Sequence, residues 1–539
     1  MPVIESRIDP DGESFRANRR AMLGLVEEFR ALEDRVRRTS NAKKEQFAQR
    51  GQLLPRERVA LLLDRGSSFL EISTLAGLGM HDDDGKENPL GAGGIDGIGY
   101  VSGVRCLIAA SDSAIKGGTT APMGLKKRLR CQEISRENKL PMINLVESGG
   151  ANLNYQAEIF VEGGQTFRNQ ARLSAMGVPQ VTIVHGSSTA GGAYLPGLSD
   201  YVVMIKGQAK VFLAGPPLLR AATGERASDE ELGGAEMHST ISGVSDYMAE
   251  DDADGIRLCR EIMAKLRWND RLPPEPRRSF REPRYSPDEL CGVVPVDYRK
   301  PYDVHEVVAR ILDGSDFLDF KPLYGGHTIC GQGEIEGFPV GIIANNGPID
   351  ADGSVKAAQF IQLMCQVGTP IVYLQNTTGY MVGTEAERSG IVKHGSKMIQ
   401  AVSNASVPQI TLHVGASFGA GNYGMCGRAY DPRFIFAWPN NRIAVMGGEQ
   451  AAKVLSIITE ERTARLGRPV DRAQLQAMEQ KIVDQFDRES TALFATARLW
   501  DDGLIDPRDS RKVLAFCLSI CREAEIRPLR ATSFGVARM

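Results

Sequence analysis

Across residues 15–36, the apolar side chains of Met22, Leu25, Val26, Phe29, Leu32 and Val36 recur at intervals of three and four with charges between them. That is the period of one helix face, and it predicts an N-terminal amphipathic helix. In the next segment, GQLLPRERVALLLDRGSSFLEI, Pro55 is placed to start a second helix and Gly66 to stop it. Farther along, short unbroken apolar runs at 143–146, 181–184, 371–374 and 410–414 read as strands, each followed by a glycine-containing turn or a small-residue segment. Between Trp268 and Leu290 five prolines interrupt the text, which neither a helix nor a central strand can accommodate, so a linker is expected there.

The pattern on the two sides of that linker is the same. Leu140-Pro141-Met142-Ile143 matches Thr369-Pro370-Ile371-Val372, and Val178-Pro179-Gln180-Val181-Thr182 matches Val407-Pro408-Gln409-Ile410-Thr411. Gly186 falls on Gly415 and Tyr194 on Tyr423, all at one offset of 229 (Met142 to Ile371). Strands alternating with helical stretches at this spacing predict two homologous α/β domains, 1–275 with the N-terminal helical segment and 276–539.

In each half the second strand is expected to run into a small-residue turn, GSSTAGGAY from Gly186 and GASFGAGNYG from Gly415. A turn that delivers the chain into a helix start points several backbone N–H groups at one spot, which can serve as an anion site or an oxyanion hole. Glycines there can equally serve only tight packing; their appearance at equivalent places in a duplicated chain favours the functional reading. Two other motifs in the second turn fail. Gly415-Ala416-Ser417-Phe418-Gly419 has the form of a nucleophile elbow, but all seven histidines precede Ser417. Gly419 to Gly424 has the dinucleotide spacing without an acidic residue about twenty positions on. Lys116-Gly117-Gly118 with Lys126, Lys127, Arg128 and Arg130 could hold phosphates or form a solvated basic face.

Composition narrows the classes. The net charge is −3 and charged residues make up 24% of the chain, so a tail-driven nucleic-acid binder and a disordered chain are excluded. Glycine is high, 57 of 539 against an average of about 7%, which fits many close backbone approaches. Nine scattered cysteines without a C-x-x-C pair argue for free thiols in a reducing cytoplasm and against a zinc ribbon; no metal is expected. No stretch nears 18 apolar residues, so no membrane partner is expected.

GSSTAGGAYLPGLSD, FLAGPPLLRAATGE, ELGGAEMHSTISGVSDY, GAGNYGMCGRAYDPRFIFAWPNNRIAVMGGEQA and LLPRERVALLLD together resemble the carboxyltransferase β subunits of biotin-dependent acyl-CoA carboxylases, closest to the methylcrotonyl-CoA and geranyl-CoA branch. The resemblance runs from about Leu53 to the C-terminus. It implies a ligase built from two crotonase-like domains of the ClpP/crotonase superfamily in a homo-hexameric core, with each site completed by two chains. Carboxybiotin would reach that core on a partner α subunit carrying biotin carboxylase and biotin carrier domains, since this chain has neither a Met-Lys-Met attachment site nor an ATP-binding loop.

Carried over residue by residue, Gly191 and Gly192 would hold the thioester oxygen, and Gly419, Ala420 and Gly421 the biotin oxygen. Gly163, Gly164, Lys116, Gly117, Gly118 and Ala190 would bind the CoA ester. Substitution at the four donor positions, Gly191, Gly192, Ala420 and Gly421, is expected to leave folding little changed. The methylcrotonyl-specific relatives carry His-Phe-Gly where this chain has Glu162-Gly163-Gly164, which implies a pocket opened toward geranyl-CoA and a place in acyclic terpene breakdown. The alternatives are a methylcrotonyl-CoA carboxylase β subunit in leucine breakdown and a biotin-dependent decarboxylase subunit.

Overall fold

Each apolar run becomes a strand buried along most of its length. In the computed structural model, which describes residues 3–274, 278–467, 469–532 and 535–536, these strands belong to two sheets. The first has eight among the described residues: β1 (Leu70–Glu71), β2 (Gly94–Val101), β3 (Val104–Ser111), β4 (Met142–Ser148), β5 (Gln180–Thr189), β6 (Tyr201–Ile205), β7 (Lys210–Phe212) and β8 (Tyr247–Ala249). Their order is β1-β2-β3-β4-β5-β6-β8, with β7 also on β5; pairing is antiparallel up to β3 and parallel beyond it.

The second sheet has seven: β9 (Leu318–Asp319), β10 (Thr328–Ile335), β11 (Phe338–Asn345), β12 (Ile371–Thr377), β13 (Gln409–Phe418), β14 (Phe434–Ala437) and β15 (Arg442–Ala444). It repeats the plan, antiparallel through β9-β10-β11, then parallel through β12, β13 and β14, with β15 on β13. Parallel strands lie between layers, which is why Ile143, Val181, Ile183, Ile371 and Ile410 have no exposed surface.

The offset of 229 reaches into the register. Strands β4 and β12, strands β5 and β13, and the helices Pro122–Asn138 and Ala351–Val367 all begin and end that distance apart. Both central ladders also break at the same place. Val146 faces Val184 but Ser148 faces Ser188, and the second ladder shifts likewise between Gln375 and Thr377. The strand with extra residues bends there, as at any β-bulge. The bulge needs glycine: a Cβ on Gly186 would lie 2.6 Å from Glu147 Cγ, and one on Gly415 2.2 Å from Asn376 Oδ1. Gly186 and Gly415 are therefore strand residues, and the turns expected to begin there start later, at Ala190 and Gly419. The reason is that residues 187–189 pair with β7 and 416–418 with β15, which extends the strands.

The N-terminal helix is Glu13–Asn41, with Phe15, Met22, Val26, Phe29, Leu32 and Val36 buried. The second helix, Pro55–Leu62, stops before Gly66 because the chain turns extended at Leu63 and Asp64 N–H is taken by Tyr100 O at 2.8 Å. Described residues between the short helical turns at Trp268–Arg271 and Pro287–Glu289 form neither helix nor strand. The expected boundary between 275 and 276 lies outside the described residues. By its internal contacts the chain forms two compact units: Met1–Arg30 with Pro276–Thr496 and Trp500–Cys521, and Ala31–Glu275 with Ala497–Leu499 and Arg522–Met539. No described helix is long and apolar enough to cross a membrane.

Equivalent positions have diverged in charge pairing. In the first repeat Lys127 is buried with its amine 3.2 Å from Asp96 Oδ2 and 2.7 Å from Gly94 O. Its counterpart Lys356 is also fully buried, but Cys330 occupies the ladder position of Asp96, and the Lys356 amine has no hydrogen-bond partner among the described residues. Burial accordingly lowers the Lys356 pKa. Opposite outcomes follow for one substitution. Lys127→Met strands the Asp96 carboxylate and should cost about 3–5 kcal/mol, whereas Lys356→Met replaces an unpaired amine with apolar surface and should raise stability. Urea or thermal unfolding of the two variants checks this; equal effects would contradict it.

Candidate functional site

Three adjacent parallel strands of the first sheet, β3, β4 and β5, end at one edge of the sheet, and each ends in a glycine segment. After β3 comes Lys116-Gly117-Gly118, after β4 Gly149-Gly150, and after β5 Ala190-Gly191-Gly192. Ligands of parallel sheets bind at this carboxyl edge, where loops rather than strands set the surface. The segments are tied together: Gly149 N–H donates to Gly117 O at 3.1 Å, Ser148 Oγ to Gly118 O at 2.8 Å, and Thr120 N–H to Gly150 O at 2.9 Å.

The β5 turn enters its helix abruptly. Thr189 is extended (φ −116°, ψ 160°), Ala190 is left-handed at φ +53°, and a short helical turn, Ala190–Ala193, follows. The second repeat does the same with Phe418 extended (φ −111°, ψ 145°), Gly419 at φ +55° and the helix Gly419–Gly424. The first N–H groups of a helix have no acceptor within it, so each turn presents backbone donors from 190–192 and 419–421. Ala190, Gly191 and Ala420 are exposed, Gly192 and Gly419 are half-buried and Gly421 is buried, and the segments 189–193 and 418–422 contain no titratable side chain. Such turns can stabilise negative charge that develops on an oxygen; they cannot themselves take a proton.

The two turns differ in how much room they leave. A Cβ on Gly191 would sit 3.8 Å from Phe167 Cζ and one on Gly192 3.7 Å from Ser188 Oγ, ordinary contacts. On Gly421 it would lie 2.9 Å from both Gly379 Cα and Thr377 Cγ2. The expectation that all four donor positions tolerate side chains therefore fails at Gly421, where the backbone of the neighbouring turn fills the space.

The remaining expected residues divide. Gly163 and Gly164 lie inside the helix Gln156–Met176 rather than in a loop, and at both a side chain would meet nothing closer than Ile159 Cγ2 at 3.9 Å. Gly163 stands four residues before Phe167, on the same helix face, and Phe167 packs edge-on against Tyr194 with centroids 5.6 Å apart, so this face borders the first turn. Lys116 is half-exposed at the sheet edge, its amine 2.7 Å from Asp82; the hydrogen bonds from Lys116 and Tyr155 hold that carboxylate below its ordinary pKa.

Gly117 is exposed. Gly118 is not available to a ligand: it is buried, donates its N–H to Ile115 O at 3.0 Å, and would place a Cβ 2.1 Å from Glu147 O. Of the basic cluster, Lys127 and Arg130 are buried in ion pairs and do not form a phosphate site, Arg128 is half-buried, and Lys126, like Lys116, is exposed.

The sequence reading missed Gly150 and its counterpart Gly379, Glu147, and Phe167. The repeat could have found the glycines, since they fall on each other at the same offset. Glu147 closes the strand at the bulge, accepting from Arg58 Nη1 and Ser113 Oγ, both at 2.8 Å. Arg58 also bonds Asp252, which holds His185 Nδ1 at 2.6 Å; burial lowers the pKa of that histidine.

The family model described as the carboxyl transferase domain matches residues 46–534. The chain is 50% identical over 541 residues to the probable biotin-dependent acyl-coenzyme A carboxylase beta2 subunit of Mycobacterium tuberculosis, covering 100% of both chains. It is 50% identical over 493 residues to the biotin-dependent 3-methylcrotonyl-coenzyme A carboxylase beta1 subunit of the same organism, covering 91% of this chain and 92% of the other. The crystal structure of the P. aeruginosa geranyl-CoA carboxylase beta subunit is similar at a TM-score of 0.94 with 61% identity, covering 100% of each chain. A duplicated α/β fold with a glycine turn at the same point of each repeat, matched along its whole length, places the chain in the carboxyltransferase family of biotin-dependent acyl-CoA carboxylases.

Proposed function

We propose that this chain transfers CO2 from carboxybiotin to the γ carbon of a β-methyl-α,β-unsaturated acyl-CoA, with geranyl-CoA as its substrate. The observation that carries the proposal is the pair of equivalent turns at 190–192 and 419–421, one for each oxygen that gains charge in such a transfer. Likeness to the geranyl-CoA carboxylase beta subunit supports the choice of acyl group. We assign the domains as 1–275 and 276–539, the assembly as a homo-hexamer whose sites are each completed by two chains, and the partner as an α subunit bearing biotin carboxylase and biotin carrier domains. Nine free cysteines, eight of them buried, support a cytoplasmic setting.

In this reading the Gly191 and Gly192 donors hold the thioester oxygen as it becomes an enolate oxygen, which acidifies the γ proton through the conjugated double bond. At Gly421 the second turn approaches Gly379 Cα and Thr377 Cγ2 so closely that only glycine fits, which fixes the backbone that offers the Gly419-Ala420-Gly421 donors to the urea oxygen. Carboxybiotin supplies the CO2 and the proton acceptor when it is bound. The protein contributes orientation and preformed donors, and the absence of titratable groups in 189–193 and 418–422 matches that division.

Removing one oxyanion donor typically lowers turnover about a hundredfold or more. Gly192→Val should lose activity by that factor with an unchanged unfolding midpoint, whereas Gly421→Val should lose the fold; wild-type turnover from folded Gly192→Val would remove the first turn from the mechanism. Gly163→Phe sets a ring on the helix face beside Phe167 and should abolish carboxylation of geranyl-CoA while sparing methylcrotonyl-CoA. The lost contact with the extra prenyl unit amounts to several kcal/mol at about 0.8 kcal/mol per methylene. A variant that still prefers the longer ester would refute the pocket assignment. Affinity purification of the chain from its native host followed by a streptavidin blot should show a biotinylated partner, and its absence would count against the two-subunit reading.

A further inference from the structure

The two turns share a backbone path but not the means of holding it. Under the second turn three side chains form a closed chain of hydrogen bonds. Asn422 Nδ2 donates to Ser417 Oγ at 2.7 Å, Ser417 Oγ donates to Gln375 Oε1 at 2.6 Å, and Gln375 Nε2 donates to Met425 O at 2.6 Å. The chain therefore starts inside the helix Gly419–Gly424, passes through the last turn of β13 and the neighbouring strand β12, and returns to the residue that ends the helix. Gln375 and Ser417 have no exposed surface and Asn422 is 9% exposed. Space is kept for the asparagine: a Cβ on Gly427 would lie 1.9 Å from Asn422 Oδ1.

At the corresponding places of the first repeat stand Val146, Ser188 and Ala193. Only the serine is retained, and its hydroxyl donates instead to Gly192 O at 2.9 Å, within the turn itself. Two apolar residues cannot pass a hydrogen bond from helix to strand, so the tie from the second turn to strand β12 has no counterpart in the first, which is held from another side, by Gln170 Nε2 donating to Leu195 O at 2.7 Å just beyond the turn. A fully satisfied buried network fixes one geometry, because any rotation of the turn leaves a buried polar group unpaired at a cost of about 1–3 kcal/mol.

We propose that Gln375, Ser417 and Asn422 are positioning residues that lock the second turn in one orientation, so that its donors meet a group that never varies, the urea oxygen of biotin. The inference rests on the assignment of the second turn to biotin. A rigid donor pair suits a constant partner, since preformed donors need no reorganisation as charge develops.

Ser417→Ala removes the middle link and leaves Asn422 Nδ2 only Gln375 Oε1, at 3.5 Å. In the carboxylase reconstituted with its biotinylated partner, kcat per folded enzyme should fall at least tenfold while KM for the acyl-CoA changes less than twofold. Ser417→Cys keeps the volume and weakens both bonds, so it should give an intermediate kcat and serves if the alanine variant does not fold. A merely structural role would lower the unfolding midpoint and leave kcat per folded enzyme at the wild-type value, and that result, or a parallel rise in KM for the acyl-CoA, would overturn the proposal. Gly192→Val assayed alongside separates the two levels. If it is inactive while Ser417→Ala is wild type, only the positioning network falls; if both are fully active, the reading of the turns falls with it.

Discussion

The extra residues that β5 and β13 carry opposite β4 and β12 aim both turns. Without the shift between Val146 and Ser148, and its twin between Gln375 and Thr377, each long strand would continue flat beside its neighbour. With it, the strand bends, takes a third partner in β7 or β15, and delivers its last residue to the carboxyl edge of the sheet. The bend depends on two glycines, Gly186 and Gly415, because the side chain of the opposing strand residue fills the place of a Cβ. Every donor in the two turns inherits its direction from that crossing.

Duplication supplied the same backbone twice, and the side chains beneath it then took separate courses. At the bulge the first copy keeps a carboxylate, Glu147, bonded to Arg58 and Ser113, while the second has Asn376, whose Oδ1 accepts from Ala416 N–H at 3.1 Å. The buried ion pair of Lys127 and Asp96 in one copy corresponds to the unpaired Lys356 amine in the other. The shared features are those that fix chain direction: glycines at close approaches, strand lengths and the left-handed residue that opens each turn. The differing ones decide charge and rigidity.

Much of this was legible in the sequence, because the offset of the repeat already aligned Met142 with Ile371 and Gly186 with Gly415, and strand and helix ends obey the same offset. The amphipathic helix was equally plain from its buried face. The starting points of the turns were not legible, since whether residues 187–189 continue a strand depends on β7, a segment more than twenty residues away. Nor was the failure of Gly118 as a ligand-facing residue, which comes from the carbonyl of Glu147, or the burial of Lys127, a helix residue whose partner Asp96 lies on strand β2. The support of the second turn was hidden for the same reason: Gln375 meets Ser417 across 42 residues of chain.

Two adjacent glycines in the middle of the 21-residue helix Gln156–Met176 carry a consequence for how such a site persists. Neither has a positive φ and neither is crowded, so almost any other residue would fit and would favour the helix by roughly 0.5–1 kcal/mol at each position. Random substitution at Gly163 is therefore biased toward variants that fold better. Under the proposed specificity, a pocket for long branched esters is maintained against a steady drift of the lineage toward sturdier, narrower enzymes, and it should close within few generations of mutation once the longer substrate no longer limits growth.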